Sequence, residues 1–371
     1  MALDKMHHNL SILLIVLLCV QMIITDDIME GCDYDNIQRM YYCNEITHTF
    51  PNQFYGDYHL RCVGCNISKF TENTFPYTNS LESFNVSYSG IRGIQRRAFS
   101  KFTSTQFIYL DHNDIRDISE NAFAGAKQLY ELHLEHNHLK RLKPRFLNEL
   151  GSNSIDLSHN QLVEIGSGVF EGVIGVLHID LSSNKISELT ENAFVGLESL
   201  EILSLKDNKI CHIPLGVLGR LPALKTLNLS HNKLVEFSIG TFSGLRSLNE
   251  LNIANNSLQY FDGEFLLTLP NIHWLDVSDN GIFYFDGYEI VENAPSLRQM
   301  KMDHNIISCS SLKNLVKYLR RGNIEIVSDS GSYDVPNILG IACSQNEITN
   351  VSYKKFYALV QDEAKNLKQI C

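Results

Sequence analysis

Apolar residues recur along this chain in a fixed rhythm. Leu200, Leu203, Leu205 and Ile210 bracket Asn208, and the same arrangement returns 24 residues later as Leu224, Leu227, Leu229 and Leu234 around Asn232. Extended both ways, the register places a Ser or Asn at Ser89, Asn113, Asn137, Asn160, Asn184, Asn208, Asn232, Asn256, Asn280 and Asn305. The flanking slots stay apolar, as in Phe84/Val86/Ile91, Leu132/Leu134/Leu139, Ile179/Leu181/Ile186 and Met300/Met302/Ile307. Alternation in the first half of each copy predicts a short strand with its apolar side chains turned inward. The Asn predicts a turn, because its side-chain amide can satisfy backbone groups that a turn leaves unpaired. A second apolar column, Phe99, Phe123, Phe170, Phe194, Leu218, Phe242, Leu266 and Ile290, predicts a return segment packed behind the strands.

One such unit cannot bury its own apolar face, so ten in tandem predict a stack that grows in one dimension. The LxxLxLxxNxL pattern at this period resembles that of the extracellular leucine-rich-repeat family, and the resemblance covers roughly two thirds of the chain. It implies an α/β repeat fold: a solenoid with a curved parallel sheet on its concave face and disulfide-bonded N- and C-terminal caps. The expected organisation is a signal peptide over 1–25, an N-terminal cysteine cap over 26–77, repeats over 78–308, and a C-terminal cap with a terminal amphipathic helix over 309–371.

The leader rests on Lys5 followed by an apolar run from Leu10 to Ile24 that stops at Thr25-Asp26-Asp27. No second apolar run is long enough to span a membrane, so the mature chain is expected to be secreted and extracellular. That compartment favours disulfides. Cys32, Cys43, Cys62 and Cys65 precede the first repeat and are expected to form two disulfides within the cap, with all three pairings open. The close Cys62–Cys65 spacing also admits zinc or a redox dithiol, but the further ligands or flanking elements those need are not visible. After the last repeat, Lys313 to Arg321 reads as a helix, and the segment resembles a C-terminal cap in which Cys309 pairs with Cys343. Cys211 and Cys371 remain as candidates for an interchain bond. Phe356, Leu359, Val360, Leu367 and Ile370 predict a helix that carries Cys371 back onto the domain or toward a second chain, as a homo- or heterodimer.

Net charge of -11 argues against nucleic acid or an anionic membrane as the main partner. No nucleophile elbow, zinc-protease helix motif or phosphate loop occurs, so neither catalysis, a metal nor a cofactor is expected. The expected activity is binding of a protein ligand. The outward strand slots of repeats two to five hold Phe107, Tyr109, Asp111, Tyr130, Glu131, His133, Glu135, Asp156 and Asp180, an acidic patch bordered by aromatics and free of Lys and Arg. Repeats six to ten mix Lys206, Lys225, Arg298 and Lys301 with acids, and Trp274 offers a second anchor. His112, His136, His159, His231 and His304 each precede the repeat Asn and are read as turn residues. Sequons begin at Asn66, Asn85, Asn228, Asn255 and Asn350; sugar there would leave repeats two to six as the widest bare stretch.

The run from Asn305 through Cys309 to Leu312 resembles that of insect leucine-rich immune proteins, here as a short form without a long coiled coil. That resemblance implies innate-immune recognition, with a complement-like factor or a microbial surface component as ligand. The rival expectation is an extracellular matrix or cell-adhesion protein of the same fold.

Overall fold

The computed structural model describes residues 32–345 apart from 45, 47–49, 51–57, 63, 64, 76–80, 262 and 329–335. The predicted leader, Asn350, the 353–371 helix and Cys371 lie outside the described residues.

Each repeat contributes one short strand to a 14-stranded sheet. In repeats one to ten these strands are Leu81–Asn85, Phe107–Tyr109, Leu129–His133, Ser152–Asp156, His178–Asp180, Ile202–Ser204, Thr226–Asn228, Glu250–Asn252, Trp274–Asp276 and Gln299–Lys301. All ten are parallel and in register, so Leu203 lies beside Leu227 and Leu227 beside Leu251. The sheet continues past both ends of the array. Tyr58–Cys62 pairs with repeat one, Met40–Cys43 pairs with Tyr58–Cys62, and Cys32–Asp35 turns back antiparallel to close the edge. At the far end Glu325–Val327 pairs with repeat ten. The fold is therefore a leucine-rich-repeat solenoid, and its caps extend the same sheet.

A ladder of Asn side chains explains why the period is so strict. Asn184 donates from Nδ2 to the carbonyls of Leu157 and Leu181 at 3.0 and 3.1 Å, and its Oδ1 accepts from the Leu162 amide at 3.0 Å. One side chain thus joins two successive repeats through backbone groups that are shut off from water. Leaving such groups unpaired costs about 1–3 kcal/mol each. Asn113, Asn137, Asn160, Asn208, Asn232 and Asn280 make the equivalent donations to the preceding repeat.

Just before each Asn the backbone turns through a left-handed conformation, with φ of 52° at His112, 54° at His136 and 51° at His159. Asp207, His231, Asn255, Asp279 and His304 occupy the same position with φ of 51–56°. His, Asn and Asp are enriched in this region of backbone space, which accounts for the composition of the column.

Behind the strands, all eight residues of the predicted return column are buried, and Phe146 supplies a ninth member in repeat three. Phe99 and Phe123 stack at 5.0 Å with planes 10° apart. At the C-terminal end, helix α1, Gly287–Asn293, is capped by Asp286, and helix α2, Cys309–Arg321, by Ser308. Leu312, Leu315, Val316 and Leu319 on α2 seal the last repeat. Disulfides join Cys32 to Cys43, Cys62 to Cys65, and Cys309 to Cys343. Cys211 is also disulfide-bonded, and it is buried.

Candidate protein-binding face

Outward-facing residues of the sheet form rows across the repeats. In one row Tyr109 lies beside His133, His133 beside Asp156, and Asp156 beside Asp180. The row runs on through Ser204, Asn228, Asn252, Asp276 and Lys301.

Most members of this row have a local structural task. Asp156 accepts from the Ser158 amide at 2.8 Å and Asp180 from the Ser182 amide at 2.7 Å. Asn228, Asn252 and Asp276 make the same bond two residues ahead, at 2.9–3.0 Å. Each is an Asx turn that closes the end of its strand. Two of the five acids predicted for the ligand surface are thus already engaged in shaping the backbone.

Tyr109 and His133 cannot make this turn. Their rings instead stack on each other at 4.7 Å and 17°. Phe107 stacks against Tyr109 at 6.5 Å and against Tyr130 at 6.1 Å, and Tyr130 remains 54% exposed. Four rings from two neighbouring strands therefore form one continuous aromatic platform.

Carboxylates surround it. His133 Nε2 lies 3.1 Å from Glu131 Oε2, and Nδ1 lies 3.1 Å from Glu135 Oε1. Burial alone pushes this imidazole down, but hydrogen bonds to Glu135 and Glu131, reinforced by their charges, raise it to about 9. At neutral pH the ring is an imidazolium clamped between two carboxylates. Tyr109 is pushed up by burial, then by the nearby charges of Glu131, Asp111 and Glu135. The Asp156 carboxyl is also raised, by burial above all, with Glu135 and Asp180 adding to it against the Ser158 hydrogen bonds. Glu135 keeps one oxygen, Oε2, buried without a hydrogen-bond partner.

The net result is an acidic patch in which Glu131, Glu135 and Asp156 outnumber the one imidazolium. His133, Glu135 and Asp156 place one ligand atom each within 4.8 Å of one another, a set that could hold a metal ion. Both ring nitrogens already face carboxylates, so the histidine itself supplies the central cation. Asp111 sits at the margin, accepting from the Ser87 hydroxyl and facing His112 Nδ1 at 2.9 Å.

Other predicted residues fall elsewhere. Trp274 is half-buried beside Glu250 and Gln299. Six strands separate it from Phe107 in the sheet order, which at ~4.8 Å per strand is about 34 Å. The His column divides: Tyr88, His112, His136 and His159 stack in one file at 4.4, 4.2 and 4.3 Å, whereas His304 pairs with Asp279 at 2.9 Å. Register alone did not reveal that stack; adjacency of an aromatic and three imidazoles at the same repeat position was the available signal. Asn85 and Asn228 stand in the outward row with Oδ1 engaged in Asx turns, while Asn66 and Asn255 are exposed.

The leucine rich repeat family profile matches residues 79–139, 153–210 and 222–282. No curated protein sequence matches the chain. Among solved structures, an internalin from Listeria monocytogenes is similar, with TM-score 0.55 and 17% identity over 83% of this chain and 87% of that one. The mouse RP105/MD-1 complex gives TM-score 0.63 and 19% identity over 78% of this chain, and this chain spans 50% of the mouse chain it matches. Identities this low speak to the fold alone. With the Asn ladder, the in-register sheet and the matched repeats in agreement, the chain folds as a leucine-rich-repeat solenoid, a scaffold of the protein-binding kind.

Proposed function

We propose that the inner face of repeats two to five binds a protein partner through a basic segment, and that the chain acts outside the cell as an innate-immune recognition factor. The observation that carries this reading is the aromatic platform of Phe107, Tyr109 and Tyr130 fixed beside Glu131 and Glu135. Exposed aromatic rings next to carboxylates favour an arginine or lysine, which gains both an ion pair and contact with a ring face. The apolar leader and the disulfide-bonded caps support secretion, and no helix among the described residues is long and apolar enough to cross a membrane. The immune role, with a complement-like factor or a microbial surface component as ligand, follows from the resemblance of the Asn305–Leu312 run to insect leucine-rich immune proteins.

The test is covalent capture from the fluid that bathes the source tissue, with the bound protein identified by mass spectrometry. Wild-type chain and a control with Thr226→Ala and Glu250→Gln should retain the same partner. A chain with Tyr109→Ala, Tyr130→Ala and Glu131→Gln should lose it. Retention by that triple variant would rule out this face. Recovery only of deposited matrix components would replace the immune reading with the adhesive one. A disulfide-linked dimer through Cys371 is a separate proposal, read by whether Cys371→Ser abolishes a dimer band on a non-reducing gel.

A further inference from the structure

Charge is segregated across the N-terminal repeats in a way that the net charge of -11 conceals. Residues 92–145 carry ten of the 31 Lys and Arg, and all ten are exposed. The same stretch holds six acids, of which Asp111, Glu131 and Glu135 belong to the inner face described above. Away from that face, the stretch sets ten cations against three acids of its own, Asp114, Asp117 and Glu120, a sequence balance of +7, while Glu72 and Glu164 outside it pair with Arg97 and Arg141. Chance distribution on an acidic chain does not favour such a patch, and solubility does not require one.

The patch has a shaped centre. A groove on the return segments of repeats one to three is lined by Arg96, Arg97, Lys127 and Arg145, with Asn121 and Asn148, and these four cations outnumber its two acids, Glu120 and Glu149. Its floor is fixed by backbone bonds that pass from repeat to repeat: the Arg97 amide donates to the Asn121 carbonyl at 2.9 Å, and the Asn121 amide to the Arg145 carbonyl at 3.0 Å. All three residues share a left-handed φ of 55–58°, so their side chains leave the backbone in the same direction at successive repeats. Gly125 lets the segments close up; a Cβ there, at φ 105°, would lie 2.8 Å from the Ser100 carbonyl oxygen. Asn148 donates to Asn121 Oδ1 at 2.8 Å and accepts from Arg145 at 3.3 Å, which orients that guanidinium along the groove.

The cations are also available. Arg97 reaches Glu72 at 3.7 Å, but both side chains are more than half exposed, a pairing worth little in water. Arg96 and Lys127 have no ion-pair partner among the described residues.

We propose that this groove binds a linear sulfated polysaccharide. Arginine forks match sulfate oxygens in pairs, and a row of cations repeated along the solenoid suits a ligand whose anions also repeat. No aromatic residue lines the groove, and single-stranded nucleic acid calls for stacking platforms as well as charge. Nor does the lining offer the apolar anchors that hold a helix or loop at a membrane surface.

The experiment uses the full-length protein and a size-defined heparin oligosaccharide as the probe, with binding read by fluorescence polarisation at low salt. A double variant, Arg96→Gln with Lys127→Gln, removes the two unpaired cations and touches no buried group. Its affinity should fall about tenfold or more while its thermal midpoint stays at the wild-type value, and wild-type binding should weaken steeply as salt is raised. The inner-face triple variant should bind heparin as wild type does. Three results would overturn the proposal: no heparin binding at low salt, heparin binding unchanged in the double variant, or tighter binding of single-stranded DNA or of anionic vesicles than of heparin.

Discussion

The two halves of the array are built on the same backbone and differ in what that backbone asks of one outward row. In the C-terminal half, Asn228, Asn252 and Asp276 each close a strand end by accepting an amide two residues ahead. In the N-terminal half, Asn85, Asp156 and Asp180 keep that turn, but Tyr109 and His133, between them in the same row, make none and stack on each other instead. The Asx turn is therefore dispensable to a single repeat. Where it is given up, the position is released from shaping the chain and becomes free to meet a ligand. The core shows no such contrast: Phe123 and Phe242 are equally buried, and the Asn ladder runs through both halves.

The comparison can be broken first at the core. Phe123→Ala and Phe242→Ala should each cost about 3–5 kcal/mol in denaturant unfolding, because each leaves a cavity the neighbouring repeats cannot fill. Widely different losses would mean that the two halves are not equivalent scaffolds. Asn184→Ala comes next, at about 2–3 kcal/mol, since it strands backbone groups in two repeats at once.

A smaller effect distinguishes the halves by pH. His133 is raised from 6.5 to about 9 in the folded chain. Its stabilising contribution is complete below pH 6.5 and is lost as pH climbs through about 9. At ~1.4 kcal/mol per tenfold in proton affinity the shift is worth at most about 3 kcal/mol, and screening of the partly exposed ring brings this to about 1–2 kcal/mol. His133→Asn should therefore narrow its stability deficit, or reverse it, between pH 7 and 10, and urea midpoints taken across that range would show a flat difference if the clamp is not ionic. Asp276→Ala should cost about 1 kcal/mol with no change in partner binding, the value of one lost turn hydrogen bond.

The smallest expected effect lies on the edge. His136 is held below its usual value, by burial and then by His159 and His112. Its neutral ring contributes stability that is full above pH 6.5 and lost as pH falls through the depressed value. Acid titration followed by imidazole NMR should show His136 protonating below the ordinary histidine range, and protonation at or above that range would dissolve the stacked file.

Much of this was legible from sequence because the Asn ladder forbids slippage: a spacing of 24 residues, 23 once and 25 once, fixes strand, turn and core for every copy. The outward residues of repeats two to five were likewise placed by register. Their division of labour was not. Asp156 and Asp180 look like free acids until the Ser158 and Ser182 amides are seen to bind them, because an acid in an Asx turn and an acid awaiting a ligand occupy the same slot. Cys211 carried no sequence signal of its bond, since disulfide pairing depends on distances in the folded chain that no spacing encodes. The basic groove was hidden by summation: its cations lie on return segments, and acids elsewhere in the chain cancel them in the total.

The central claim is that the inner face of repeats two to five, where two rings replace the turn, and not that of repeats seven to nine, meets the partner. Hydrogen exchange of the captured complex tests this directly. The account predicts new protection in residues 107–111, 130–135 and 153–158, with exchange in 226–230, 250–254 and 274–278 unchanged. Protection confined to the second set would contradict it.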